Sequence, residues 1–91
     1  MKKYYVYILK CSDDTYYTGF TSNLDLRIEG HRSGADKDAY TFERRPVRLV
    51  FQTEFTMAAF AIEAEKQIKR WSKAKKEALI KGEFKKLSKI A

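Results

Sequence analysis

Lys3-Tyr4-Tyr5-Val6-Tyr7-Ile8-Leu9-Lys10-Cys11 puts bulky β-favouring side chains at both parities, Val6 and Ile8 on one and Tyr5, Tyr7 and Leu9 on the other. A half-buried strand alternates apolar with polar residues, so this pattern predicts a strand largely covered on two faces. Ser12-Asp13-Asp14-Thr15 is a turn cluster, and Tyr16 to Phe20 returns as a second short strand. The opening therefore reads as a hairpin.

Downstream of the hairpin a helix is expected. Ser22 or Asn23 caps it, Asp25 sets negative charge near its positive end, and Leu24 and Ile28 form its inner edge. Arg27 and His31 lie four apart and share a second face of that helix. Gly30 weakens its last turn by about 1 kcal/mol relative to Ala, and Ser33-Gly34-Ala35-Asp36 ends it. A polar loop runs from there to Pro46, and Val47 to Thr53 is the next strand candidate. Thr56 is expected to cap a second helix with Met57, Phe60, Ala61, Ala64, Ile68 and Trp71 at helical spacing. Glu65 falls on the flank of that apolar stripe. Ser72 starts a third, Lys-rich helix reaching Lys81, with Gly82 as its stop, and Glu83 to Ala91 adds a last helical turn or two. The order β-β-α-β-α-α predicts an α+β fold, a small three-stranded antiparallel sheet flanked by helices.

Ninety-one residues suit one domain, with a core over about 3–80 and a basic helical extension over 81–91. The core is thin at this size, and 13 aromatic residues (six Tyr, six Phe, one Trp) partly make up for that. No apolar run approaches the roughly 18 residues of a membrane span. The start, Lys2-Lys3-Tyr4-Tyr5, lacks the apolar core of a signal segment. The single Cys11 has no internal disulfide partner and reads as a buried structural thiol. These features point to a cytoplasmic protein. Nineteen Lys and Arg against 12 Asp and Glu give a formal charge of +7, which suits an anionic partner, nucleic acid before an acidic membrane surface. Solubility alone also accounts for such a charge.

Tyr5-Val6-Tyr7, then Tyr17-Thr18-Gly19 ten residues later, then Arg27, His31 and Glu65, resemble the signature of the GIY-YIG nuclease superfamily in order and spacing. Arg44-Arg45-Pro46-Val47 and Glu65 followed by Ile68-Lys69 match as well, so the resemblance runs over roughly residues 3 to 80 and is to the short stand-alone branch. Three positions depart from the pattern. Tyr5 replaces the first Gly, Thr18 replaces the second Ile, and no Asn follows Glu65, since Asn23 is the only Asn in the chain.

The resemblance implies a phosphodiester-cleaving site. Such chemistry activates water, neutralises charge on the phosphoryl oxygens and stabilises the departing alkoxide. Glu65 is then the ligand of a single Mg²⁺ or Mn²⁺ ion, a hard cation suited to oxygen donors. Arg27 binds the scissile phosphate. Tyr7 is the base for water, with Tyr17 placing it, and His31 takes or relays the proton. Because an ordinary Tyr has a pKa of about 10, Tyr7 serves only if the metal and Arg27 lower it. Gly19 is the motif glycine. Glu63 is a rival ligand two residues away, but it falls opposite the apolar stripe and should face water.

Taken singly, each residue has a plainer reading. Tyr7 and Tyr17 are cross-strand aromatics, Gly19 closes a strand, Arg27 is a solvated helix arginine, His31 meets the carbonyls of a helix end, and Glu65 pairs with Lys66 or Lys69. The function expected from the whole is a metal-dependent endonuclease acting on DNA, with RNA second. It would hold phosphates through Arg27, Arg32, Arg44, Arg45, Lys69 and other lysines of the last third, and would not read sequence. The alternatives are a catalytically impaired nucleic-acid-binding module on the same scaffold and a nuclease targeted by a protein partner.

Overall fold

β1 (Tyr4–Lys10) and β2 (Tyr16–Thr21) form the hairpin, and β3 (Arg48–Phe55) pairs with the other edge of β1, giving an antiparallel sheet in the order β2-β1-β3. The chain is described here from a computed structural model covering residues 1–83 and Lys85. As the central strand, β1 has Val6, Tyr7, Ile8 and Leu9 all fully buried, which is the outcome of apolar side chains at both parities. The helices are α1 (Leu24–Ser33), α2 (Ala58–Lys69) and α3 (Lys73–Ile80). Among the described residues, three strands and three α-helices, with a short 3-10 turn at Phe42–Arg44, make the α+β architecture. The helical turn expected over 83–91 falls almost entirely outside the described residues.

The two parities of β1 feed two separate cores. Tyr7 and Leu9 pack with Cys11, Ile28 of α1 and Val47, flanked by Tyr17, Leu24 and Leu49. Val6 and Ile8 pack with Ala61 and Ile68 of α2, flanked by Phe20, Phe51, Trp71, Leu79 and others. A register shift between Ile8 and Leu9, whose partners on β3 are Phe51 and Leu49, lets Val50 and Phe51 both join the second core while Leu49 serves the first.

Local chemistry sets the helix ends. The Asn23 side chain accepts from the Leu26 N–H at 3.1 Å, and Gly34, in the left-handed region at φ 73°, closes α1 by donating to the Gly30 carbonyl. Ser72 caps α3 by accepting from the Lys75 N–H. Thr56, expected to cap α2, does not: the helix begins at Ala58, so Met57 takes the cap position and makes no side-chain cap bond. The stripe on α2 is also narrower than its spacing suggests. Ala61, Ala64 and Ile68 face the sheet, whereas Met57 and Phe60 are 55% and 62% exposed among the described residues.

Candidate functional site

The Tyr7 hydroxyl is the centre about which the polar residues gather. Tyr7 stands directly opposite Gly19 in the β1–β2 pairing, and its phenol lies over that glycine so closely that a Cβ there would run into the hydroxyl oxygen. Gly19 has no positive φ, so its role is clearance for Tyr7 rather than backbone freedom. Two register steps along, on the same face, Tyr17 faces Leu9, and its ring sits 6.3 Å from that of Tyr7 and 5.2 Å from that of His31.

From α1, His31 reaches in and places Nε2 3.0 Å from the Tyr7 oxygen. Its other ring nitrogen, Nδ1, lies 2.8 Å from Oγ1 of Thr41. All three residues are buried, at 0%, 8% and 1% exposure for Tyr7, His31 and Thr41. His31 therefore does not serve the helix-end carbonyls; its side chain is used up by two hydroxyls. One helical turn earlier, Arg27 is exposed, yet its guanidinium charge acts on the Tyr7 hydroxyl and favours its ionised form. Glu65, arriving from α2, is near enough for its charge to act on the same phenol. Its side chain is only 16% exposed, and Lys69 lies 3.4 Å from it. Glu63 is exposed on the solvent side of α2.

Electrostatics here favour neutral side chains. Burial drives the Tyr7 hydroxyl far above the ordinary tyrosine range, and the Tyr17 and Glu65 charges add to the rise, while Arg27 opposes it and loses. Burial also holds the His31 imidazole below its usual value, with Arg27 pushing the same way and Asp36 resisting. A cation beside Glu65 would reverse the sign of the contribution Glu65 makes at Tyr7.

The loop between α1 and β3 proves to be part of this site. Tyr40 stacks on Tyr17 at 6.0 Å, and its hydroxyl donates to Thr15. Arg44 lies over the Tyr40 ring at 3.8 Å, pairs with Asp13 at 3.1 Å and donates to the Tyr40 carbonyl. Arg45 covers Phe42 and donates to the carbonyls of Phe42 and Ser33. Both guanidiniums thus fasten the loop to the hairpin turn and to the end of α1. Arg32 is exposed on α1. Sequence reading passed over Thr41 and Tyr40 because they sit in a stretch read as polar loop. The available signal was the run Tyr40-Thr41-Phe42, two aromatics that a mere solvent loop has no need of. Between α1 and this loop opens a cavity of about 590 Å³, with Tyr17, Arg27 and His31 on its inner wall and Leu26, Ala39 and Tyr40 among its other lining.

Residues 3–85 match the GIY-YIG catalytic domain. The chain belongs to the GIY-YIG family. Among its relatives, a UPF0213 protein of Syntrophus aciditrophicus is 47% identical over 81 residues, which are 89% of this chain and 93% of that one. A UPF0213 protein of Staphylococcus haemolyticus is 44% identical over 88% of this chain and 96% of its own. The solution NMR structure of a UPF0213 protein from Bacillus halodurans, 44% identical, superposes with a TM-score of 0.57 over 87% of this chain and 83% of that one. That of an E. faecalis protein, 31% identical, gives 0.62 over 90% and 86%. This GIY-YIG chain thus shares a short single-domain layout with its relatives and carries a nuclease-like domain. No helix among the described residues is long and apolar enough to cross a membrane.

A divalent ion fits one part of this GIY-YIG site. No cluster of three or more His, Cys, Asp or Glu exists among the described residues, which is wrong for a structural zinc cage. A single partly buried carboxylate is the donor set of an ion that keeps most of its waters, as Mg²⁺ does. Glu65, 3.4 Å from Lys69, is the carboxylate that would hold such an ion.

Proposed function

We propose that this single-domain protein is a cytoplasmic, divalent-metal-dependent endonuclease that hydrolyses phosphodiester bonds in DNA, with RNA as a second substrate, and does not select by sequence. The gathering of Tyr17, Arg27, His31 and Glu65 about the one hydroxyl of Tyr7 carries this reading. Arg27, exposed and forked, binds the scissile phosphate. Tyr7, neutral in the resting site, then passes its proton to His31 as it takes one from the attacking water. Tyr17 packs against both rings and limits the directions from which water approaches. Glu65 would hold an Mg²⁺ or Mn²⁺ ion, whose charge, when bound, would stabilise the departing alkoxide and offset the carboxylate charge at Tyr7. Of the basic residues expected to hold phosphates, Arg32 and Lys69 are exposed, whereas Arg44 and Arg45 also hold the loop. A protein partner remains an additional source of targeting.

A second reading, a nucleic-acid-binding module without cleavage, draws support from the complete burial of Tyr7 and from Tyr5 in the place of the motif glycine. One experiment decides between them. Purified protein is incubated with branched, nicked and single-stranded DNA and RNA in Mg²⁺, Mn²⁺ or EDTA. Cleavage is expected with metal alone. Glu65→Gln should abolish it while leaving affinity nearly intact, Tyr7→Phe should lower it about 10²–10⁴-fold, and Glu63→Gln should leave it unchanged. Tight binding without metal-dependent cleavage of any substrate would establish the second reading, and cleavage by Glu65→Gln at the wild-type rate would remove Glu65 from the site.

A further inference from the structure

Proton accounting around Tyr7 leaves one solution. The phenol is fully buried, so its O–H must find an acceptor or bear the cost of an unmet donor. Arg27, whose charge acts on this hydroxyl, has donors only and cannot accept the proton. His31 Nε2, at 3.0 Å, is the remaining partner, and it accepts only if it carries no proton. A neutral imidazole then bears its proton on Nδ1, and Nδ1 faces Thr41 Oγ1 at 2.8 Å. That oxygen accepts.

We infer that Thr41 is a positioning residue that fixes His31 in its Nδ1–H tautomer, so that Nε2 stands ready as the acceptor of the Tyr7 proton. This is the less favoured tautomer of a histidine side chain in water, so the protein has to impose it, and which nitrogen is protonated follows from the bond the other one makes. When Tyr7 gives up its proton, the O–H bond breaks and an Nε2–H bond forms, leaving a tyrosinate and an imidazolium. Both imidazolium N–H groups then have an oxygen to donate to, Tyr7 on one side and Thr41 on the other. Thr41 never touches the reacting atoms. It comes from the loop that Tyr40, Arg44 and Arg45 fasten down, which gives that fastening a purpose: it fixes where Oγ1 stands.

The tautomer follows from the hydrogen bonds alone, while its effect on cleavage rests on the nuclease reading; the test therefore has two readouts. His31 is the only histidine in the chain, so a long-range ¹⁵N–¹H NMR spectrum of the imidazole at mildly alkaline pH is free of overlap. Wild type should show one tautomer, protonated at Nδ1. In Thr41→Val, nearly the same shape without the acceptor, the Nε2–H form should gain population and cleavage should fall about 10–100-fold, the size seen when an imidazole-orienting bond is lost. Thr41→Ser, which keeps the oxygen, should restore both. A wild-type spectrum showing Nε2–H would overturn the inference without any variant being made. So would a Thr41→Val protein with an unchanged tautomer. If the wild type cuts nothing, the nuclease reading fails and the spectrum still decides the tautomer.

Discussion

Val6 and Ile8 point from β1 into a layer filled by side chains of β2, β3, α2 and α3 that are almost all apolar. Tyr7, one residue between them and on the opposite face, enters a layer where a phenol, an imidazole and a threonine hydroxyl are hydrogen-bonded in series among Leu9, Cys11 and Ile28. The same seven-residue strand thus serves two kinds of interior. An apolar layer gains roughly 25 cal/mol for each Å² withdrawn from water and is indifferent to direction. A buried polar chain gains little net stability, but each member constrains the orientation and protonation of the next, and a missing member leaves its neighbour unsatisfied. Stability should reside on one face and chemistry on the other.

The largest expected effect on stability comes from the dry face. Ile8→Ala removes a fully buried side chain and should lower unfolding free energy by about 2–5 kcal/mol, including the cavity left behind. Denaturant unfolding measures this. At temperatures where the variant stays folded, the His31 tautomer and the cleavage rate should match wild type. A variant that loses cleavage in proportion to its stability would break the division between faces.

Gly19→Ala on the other face should show the reverse balance. The added methyl meets the Tyr7 hydroxyl, which is buried and hydrogen-bonded and therefore not free to swing aside. Overpacking of this kind costs about 1–3 kcal/mol, less than Ile8→Ala, yet it displaces the one oxygen around which the site is arranged. Cleavage should fall further in Gly19→Ala than in Ile8→Ala although the protein is more stable. Equal activity loss in the two variants would mean that the site depends on general packing rather than on the placement of Tyr7.

How much of this was legible beforehand follows the same division. Period and punctuation carried the strands, helix order and most ends, because β1 is apolar at both parities and Asn23, Ser72 and Gly34 are strong local signals. Thr56 misled because a cap is decided by where the helix meets the rest of the protein as well as by residue type, and α2 starts one residue later. Motif spacing pointed to Tyr7, Tyr17, Arg27, His31 and Glu65, and the fold brings them to one phenol. Thr41 was invisible for a different reason. Its function is defined by Oγ1 lying beside a nitrogen ten positions away, with a loop between them, and no periodicity encodes such a contact. Arg44 and Arg45 could be read from charge as phosphate ligands, but stacking on Tyr40 and Phe42 is a contact that charge counting does not register.

The smallest expected effect concerns Thr18, the second buried threonine of the comparison. It stands opposite Ile8 in the hairpin, hence on the dry face, and is 2% exposed. Its Oγ1 has no hydrogen-bond partner among the described residues. Thr41 and Thr18 are thus one residue type in two interiors, the first with its oxygen engaged by His31 and the second with its oxygen buried and unpartnered among the described residues. Replacing threonine by valine exchanges a hydroxyl for a methyl at nearly constant shape, and both residues are β-branched, so strand preference scarcely changes. At Thr18 the exchange removes a desolvated group that nothing compensates, a cost of about 1–3 kcal/mol in comparable cases. Part of this returns because a threonine hydroxyl is only one small group and the strand can adjust. Thr18→Val should therefore stabilise by about 1 kcal/mol, which at this chain length raises Tm by about 4–8 °C, with cleavage unchanged. The identical substitution at Thr41 should destabilise, because there it strands a donor in either tautomer, the Nδ1–H of His31 in one and the Tyr7 O–H in the other. Thermal melts of the two variants beside wild type should move in opposite directions, and a shared direction would show that the two faces treat a buried hydroxyl alike.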